Sequence, residues 1–415
     1  MSEHLLAPAR ALSEKLGYQE SAQRLRQAAM TTHLERQLRA NRPERMAPAD
    51  LDWSRLAVQA SEPTGYFFSE NLVSNESEFL RAAPALTSLP SGLAYLGVGP
   101  EPMLSYLGLV DTPLAFVIDI RRDNARLHYL YRAAFECAKT RCEWLALLLG
   151  RPYRPEQDPG SSASVDEVLA TVHAQPSSEV SFREAHAQLT RALDRLPPHR
   201  LPFDRRRMCG LHRYFWRYGT ELTFQLGGLR LRRYPTLENM LRATTPDGHP
   251  LGFLACERTF RRISALERGS RVVPVVGDIS GRALLRFGAE LRARGLRVGA
   301  IYISNVEQYL FENNVWSDWV TNLEQLPWHS DALLIRSYFE NHAGPVPDPP
   351  KSLVGQLRRT GAVAWQLRSV KGELPVHQMR TIVHRASAFL ERQRRQSYLG
   401  FRELVCDETL RGSGS

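Results

Sequence analysis

The chain has 415 residues, of which 43% are hydrophobic, which supports a sizeable core and excludes a globally disordered protein. Its 54 Lys and Arg residues exceed its 44 Asp and Glu residues, but this charge is spread along the sequence and does not favour a dedicated nucleic-acid binder. The sequence shows no signal-peptide pattern, no apolar run long enough to span a membrane and no C-x-x-C pair, so we expect a cytoplasmic protein without membrane contacts, bound metal or disulfides.

The first 60 residues are predicted to form a helical segment that caps the core, because apolar positions recur there at helical spacing. Residues 66–76, Tyr-Phe-Phe-Ser-Glu-Asn-Leu-Val-Ser-Asn-Glu, differ because short polar side chains stand beside aromatic ones. Asn71, Ser74 and Asn75 have two possible roles, which are to cap a helix that begins near Asn75 or to contact a ligand at the strand ends.

A buried strand, a glycine turn and a second buried strand that ends in an acid organise the chain. Residues 93–97 and 114–119 are the two apolar runs, and Gly97 and Gly99 form the turn between them. Glycines allow backbone N–H groups to approach a ligand, and the Asp119 carboxylate can accept hydrogen bonds from ribose hydroxyls. The third glycine of a dinucleotide fingerprint is replaced by proline, which favours S-adenosylmethionine over NAD or FAD.

Asp119 has a second possible role in the local structure. A helix is predicted over residues 122–149, and Asp119 could cap this helix or pair with Arg121 or Arg122. His128 lies on the predicted helix, where we expect it to be a solvated surface residue.

A long, mostly helical insertion is predicted between the two halves of the α/β core. Residues 154–178 are polar and predict a loop, and residues 182–196 predict a helix. The basic and aromatic stretch at 205–218 is typical of an amphipathic helix, with RNA binding as the alternative. The predicted division is an N-terminal helical segment at 1–60, the first half of the α/β core at 61–150, the insertion at 151–265, the second half of the core at 266–400 and a C-terminal tail at 401–415.

The α/β pattern resumes after this insertion. Strands are predicted at 272–276, 298–303, 333–335 and 363–367, and helices at 282–294 and 377–393, with a proline-rich loop at 345–350. The sequence therefore predicts an α/β fold with one doubly wound, Rossmann-like sheet, which also contains the strands at 93–97 and 114–119.

Polar residues follow several of these strands, and the carboxyl ends of parallel strands meet at one edge of the sheet. Asp278 could accept a hydrogen bond from an adenine amine, although it could equally cap the next helix. The candidate cofactor-binding residues are Asn71, Ser74, Asn75, Gly97, Gly99, Glu101, Asp119, Arg121, Asp278, Ser304 and Asn305.

Glu307 and Tyr309 follow the strand at 298–303 and are predicted to face a substrate. Glu307 is the candidate general base, with a solvated carboxylate at a helix start as the alternative. Methyl transfer from a sulfonium is an in-line displacement, so positioning dominates and a general base is optional.

Five stretches carry a resemblance to a known family: residues 66–76, 95–101, 116–124, 274–281 and 303–310. In them the chain resembles a bacterial family of uncharacterised proteins assigned to the class I S-adenosylmethionine-dependent methyltransferase-like fold. The resemblance spans roughly residues 60–340 and implies S-adenosylmethionine as the cofactor, with an acceptor that it does not identify. This chain has Pro102-Met103 where the family pattern has a polar Gln-Asn pair, so contacts from that pair are not expected.

The leading hypothesis is an S-adenosylmethionine-binding methyltransferase that acts on a small-molecule or other methyl acceptor. The alternatives are a non-catalytic binding or scaffold protein with a nucleotide fold, an NAD(P)-dependent oxidoreductase with Arg121 or Arg122 near a 2′-phosphate, and an RNA-binding protein that uses residues 205–233.

Overall fold

The structure is a computed structural model, and it describes residues 53–67, 69–195, 205–226, 233–339 and 378–407. Side chains are described from residue 56 onwards. The helices predicted before residue 53, the strand predicted at 363–367 and the loop predicted at 345–350 lie outside these ranges.

The described strands form one mixed six-stranded sheet with the order β3-β2-β1-β4-β5-β6. Strands β1 to β5 are parallel to one another, and the edge strand β6 is antiparallel to β5. The predictions of an α/β fold and of a single sheet that joins the early and late strands are confirmed. The strands are β1 Ala94–Gly97, β2 Ala115–Asp119, β3 Val272–Val276, β4 Val298–Ser304, β5 Trp328–Phe339 and β6 Met379–Arg385.

Fifteen α-helices lie within the described ranges. They are α1 Trp53–Ala60, α2 Ala83–Thr87, α3 Pro102–Leu109, α4 Arg122–Cys137, α5 Arg141–Leu148, α6 Val165–His173, α7 Glu179–Asp194, α8 Arg205–Tyr218, α9 Leu237–Leu241, α10 Glu257–Arg268, α11 Ala283–Ala293, α12 Val306–Glu312, α13 Trp316–Glu324, α14 Ala386–Arg395 and α15 Phe401–Cys406. None of the helices in the described ranges is long and apolar enough to cross a membrane.

The central strands are apolar throughout because helices cover them. Every residue of β3 is buried, and this strand contains four valines, which suit a strand covered by helices. Helices α1 and α4 contact β3, and α14 contacts β5. The sheet therefore lies inside the main core, and its carboxyl edge is the part open to polar side chains.

One predicted helix and one predicted loop differ in the structure, and capping residues explain both differences. The helix predicted over 122–149 is interrupted between α4 and α5, because Thr140 has an extended backbone and its hydroxyl accepts a hydrogen bond from the backbone N–H of Glu143 at 3.1 Å. The loop predicted at 154–178 contains α6, which begins at a capping box formed by Ser164 and Glu167. Apolar side chains of α6 are buried against α5, so the polar composition of the flanks concealed a helix.

Two further boundaries differ from prediction. Helix α10 crosses the predicted end of the insertion at residue 265, packs against α3 and α4 and leads into β3. The helix predicted at 377–393 begins with β6, where Thr381, Ile382 and Val383 form a β-branched run that favours a strand. Helix α14 follows only from Ala386.

Candidate functional site

One segment before β1 lies across the carboxyl ends of the strands. This crossing segment comprises residues 61–67 and 69–76. At its start, the backbone N–H of Glu62 donates to the carbonyl of Val276 at the end of β3, at 2.7 Å. The N–H of Gly65 then donates to the carbonyl of Ile120, just after β2, at 2.6 Å.

The crossing segment continues over β1, β4 and β5. The backbone N–H of Ser74 donates to Oε1 of Glu101, after β1, at 2.9 Å. The Glu76 carboxylate accepts hydrogen bonds from the hydroxyls of Ser304, at the end of β4, and Ser337 on β5. The segment thus follows the strands in the order of the sheet and covers the edge where α/β proteins bind ligands.

The Asp119 carboxylate is held by Arg121. The backbone N–H and Nε of Arg121 donate to Oδ1 at 2.8 and 3.1 Å, and Nη2 donates to Oδ2 at 2.8 Å. Arg121 Nη1 also donates to the carbonyl of Glu70 at 2.6 Å, which ties the crossing segment to β2. The possible pairing with Arg121 is therefore observed. A carboxylate has about four acceptor positions, so one remains for a ligand.

The two turn glycines are required for different reasons. A Cβ on Gly97 would collide with the thioether of Met103, so this glycine is needed for packing. Gly99 has a φ of +76°, and, its two chain neighbours aside, no atom of the described residues lies within 4 Å of the position that its Cβ would occupy. Open space therefore borders the turn at Gly99.

His128 is buried rather than solvated, which corrects the expectation for this residue. Its Nε2 lies 2.9 Å from the carbonyl oxygen of Gly99, so α4 contacts the glycine turn directly. Burial lowers the pKa of His128 to about 4, and the imidazole is neutral at pH 7. Asn124 is also buried and lies one helical turn earlier on α4.

Two buried carboxylates lie beside the glycine turn. Burial raises the pKa of Glu101 to about 7, because the Ser74 N–H offsets only part of the desolvation and the nearby Glu76 charge adds to it. Burial also raises the pKa of Glu76, against the effect of its hydroxyl partners. Glu101 therefore binds its proton at a higher pH than an exposed glutamate does. No expectation from the sequence included Glu76, although it ends the stretch at 66–76.

The remaining residues of the crossing segment organise its path. The backbone N–H of Asn71, at a φ of +45°, donates to the carbonyl of Phe224 at 3.1 Å. The Ser74 hydroxyl accepts from the N–H of Glu76 at 3.1 Å, and Asn75 is buried. The first helical turn begins only at Phe79, without a side-chain cap, so the predicted helix start near Asn75 is wrong.

Tyr309 lies at the same edge as the crossing segment. Its ring packs edge-to-face against Phe67, with centroids 5.7 Å apart, and Arg121 stands over Phe67 at 5.5 Å. Ser304 has a φ of +59°. Its hydroxyl donates to Oδ1 of the buried Asn305 at 3.3 Å. Ser304 ends β4, Asn305 follows it and Tyr309 lies on α12, so all three are at this edge, and their contact with a cofactor or substrate stays a prediction.

Glu307 is part of a buried ion pair. Its Oε1 accepts from Trp319 Nε1 at 3.0 Å and from Arg336 Nη2 at 3.1 Å, and its Oε2 accepts from Arg336 Nε. Both partners of the ion pair are fully buried. This position corrects the expectation for Glu307, because a carboxylate held on both oxygens and closed off from solvent is not placed to take a proton from a substrate.

Asp278 forms a turn before α11. Its Oδ1 accepts from the backbone N–H of Ser280 at 2.8 Å and from the Ser280 hydroxyl at 2.6 Å. The Glu62 carboxylate accepts from the N–H groups of Asp278 at 3.1 Å and Arg282 at 2.7 Å, so it is Glu62 that caps the start of α11. The Asp278 side chain is otherwise exposed, and its contact with adenine stays a prediction.

Residues 232–389 match the family model of a domain of unknown function, DUF7790. The match includes β3 to β6 but neither the glycine turn nor Asp119, and it covers less than half of the chain. No curated protein matches the chain.

Proposed function

We propose that the chain binds S-adenosylmethionine at the carboxyl ends of β1 and β2 and transfers its methyl group to an acceptor. The observation that carries this proposal is the strand order, which reverses between β1 and β4 beside the glycine turn. In doubly wound sheets, ligands bind at such a reversal. The same order supports a Rossmann-like, class I methyltransferase-like fold as the finer description of the sheet.

The start of α3 favours a nucleoside over a dinucleotide. Dinucleotide folds bind a pyrophosphate at the N-terminus of the helix that follows the glycine turn. Here Pro102 removes one N–H donor from that helix start, and the carboxylate of the buried N-cap residue Glu101 accepts a hydrogen bond from the Ser74 N–H. A pyrophosphate would lose that donor and lie near a buried carboxyl group, whereas S-adenosylmethionine carries no phosphate.

Methyl transfer at this edge requires positioning rather than a charged base. Glu307 is engaged by Arg336, so we assign it no part in the reaction. Tyr309 and Phe67 form an aromatic pair at the end of β4, and on this proposal they border the acceptor. The amino-acid part of the cofactor would meet the N–H groups of the glycine turn and polar side chains from Asn71 to Asn75.

A second candidate is a non-catalytic protein that retains nucleoside binding. It is favoured by the arginine partners of Asp119, at the end of β2, and of Glu307, on α12, which leave neither carboxylate placed to act as a general base. This candidate shares the cofactor site with the first and differs from it only in turnover.

Calorimetric titration with S-adenosylmethionine, S-adenosylhomocysteine, NAD⁺ and NADP⁺ tests the proposal. We expect one-to-one binding of the first two and none of the dinucleotides. Tighter binding of NADP⁺ would replace the proposal with an oxidoreductase. Labelled S-adenosylmethionine, incubated with protein, nucleic-acid and small-molecule fractions, then separates a methyltransferase from a non-catalytic binder.

A further inference from the structure

Two side chains on α4 carry buried polar atoms with unmet hydrogen-bonding capacity. Asn124 and His128 are each 2% exposed. Among the described residues, Asn124 Nδ2 and His128 Nδ1 have no hydrogen-bond partner. Other buried side chains, such as Tyr95 and Trp144, also carry atoms without a partner, but Asn124 and His128 lie one helical turn apart on the helix that follows β2, at the edge where α/β sheets bind ligands.

The hydrogen-bonding roles of these two atoms differ. His128 Nε2 faces the carbonyl oxygen of Gly99, so Nε2 carries the proton and Nδ1 is left as an acceptor. Asn124 Nδ2 is a donor. The pair therefore offers one acceptor and one donor, which matches hydroxyl groups because each hydroxyl can both donate and accept.

The surroundings of the pair exclude an anion. Asp119 lies close enough to His128 for its charge to act on the imidazole, and it retains one acceptor position beside its three hydrogen bonds from Arg121. A phosphate would face this carboxylate and a neutral imidazole lone pair.

We propose that His128 and Asn124 bind the hydroxyl groups of a ribose, together with the remaining acceptor position of Asp119. This inference rests on the proposed function and adds two residues of α4 to the ribose contact expected for Asp119. His128 accepts a hydrogen bond from one hydroxyl, and Asn124 donates to a hydroxyl oxygen. The two residues are thus binding residues supplied by α4, in addition to the strand-end acid.

The test compares the affinities of adenosine, 2′-deoxyadenosine, 3′-deoxyadenosine, S-adenosylhomocysteine and D-ribose for the parent protein and two variants. In His128→Gln, the longer amide can keep a donor near the Gly99 carbonyl while the Nδ1 acceptor is lost. His212→Gln is the matched control, because His212 is also fully buried and its Nε2 lies 2.9 Å from the carbonyl oxygen of Leu147, away from the strand ends.

We expect the parent to bind adenosine about 5- to 100-fold more tightly than at least one deoxy analogue, the range for an unpaired buried polar group. His128→Gln should bind adenosine more weakly than the parent by a similar factor, and it should bind that deoxy analogue as tightly as the parent does. His212→Gln should bind both ligands like the parent. The comparison between ligands on the parent protein needs no variant, so it holds even if His128→Gln does not fold.

Equal affinity of the parent for adenosine and both deoxy analogues would overturn this inference and leave the proposed function standing. So would a folded His128→Gln that binds adenosine as the parent does. Discrimination for the ribose hydroxyls that His128→Gln abolishes and His212→Gln retains, without binding of S-adenosylhomocysteine, would support the inference and overturn the proposed cofactor. A parent that binds neither nucleosides nor ribose would overturn both.

Discussion

The carboxyl edge of the sheet has two halves that treat buried polar groups differently. In the half at β4 and β5, the Glu307 carboxylate is bound on both oxygens by Arg336. In the half at β1 and β2, Asn124 and His128 each leave a buried nitrogen without a partner in the described chain. Unmet hydrogen bonds occur in both halves, because Gln308 Oε1 and Trp316 Nε1 also lack a partner among the described residues. The halves differ in solvent access: the Glu307–Arg336 pair is closed off, whereas the Asp119–Arg121 pair beside the glycine turn stays partly exposed, so we assign the ligand to the β1–β2 half.

The largest effect should come from breaking the ion pair in the β4–β5 half. Arg336→Met leaves Glu307 charged and buried, and removing one partner of such a pair costs about 3–5 kcal/mol. Urea denaturation measures the loss. The double variant Arg336→Met/Glu307→Gln should recover part of it, because no charge is then left without a partner. Unchanged stability of the single variant would show that the pair is not what holds this half.

The next effect is pH-dependent and concerns Glu101. Its folded pKa of about 7 lies above the ordinary value of 4.5, so its contribution to stability is complete below pH 4.5 and is lost as the pH rises through 7. A shift of this size corresponds to roughly 3 kcal/mol at most. Glu101→Gln removes the titration.

The stability of Glu101→Gln relative to the parent should therefore rise between pH 5 and pH 8, as measured by urea denaturation at both values. Taking the difference between two proteins cancels the opposite trend from buried histidines such as His128 and His212, whose lowered pKa values make acid destabilising. A difference that is the same at both pH values would place the Glu101 pKa near its ordinary value.

Asp119 distinguishes ligand binding from local structure. Asp119→Ala should lower the affinity for S-adenosylhomocysteine by about tenfold to a few hundredfold, because hydrogen bonds to charged groups contribute roughly 1.5–3 kcal/mol. It should also lower the melting temperature, because Asp119 orients the arginine that holds the crossing segment.

Arg121→Ala is the matched variant for Asp119→Ala. It breaks the same ion pair and releases the crossing segment but leaves the Asp119 acceptors available to ribose, so it should lower the melting temperature and reduce ligand affinity less than Asp119→Ala does. If both variants lost affinity equally, the carboxylate would act only through Arg121 and would not contact the ligand.

The smallest effect is expected at Asp278. Asp278→Ala removes one turn acceptor at an exposed position and should cost about 1 kcal/mol or less of stability. If Asp278 accepts a hydrogen bond from the adenine amine, adenosine affinity should fall severalfold while affinity for inosine, which lacks the amine, stays constant. Equal losses for both nucleosides would remove this contact.

Strands β1 to β4 and the middle of β5 could be predicted from sequence because each contains an apolar run, and Asp119, Ser304 and Asn305 follow because they lie at the ends of such runs. Strand β6 mixes polar and apolar residues, and the sequence predicts a helix there. The burial of His128 could not be predicted from sequence, because it depends on the glycine turn that packs against α4. The Glu307–Arg336 pair joins residues 29 positions apart, on a helix and a strand, so no local pattern reveals it. Contacts between distant segments decide which strand-end residues are available to a ligand.

Amide hydrogen exchange with and without S-adenosylhomocysteine tests the difference between the two halves most directly. We predict slower exchange in peptides that contain residues 97–101 and 119–128 and unchanged exchange in peptides from 304–312 and 333–339. Protection confined to the β4–β5 half, or no protection anywhere under saturating ligand, would contradict the assignment of the ligand to the β1–β2 half.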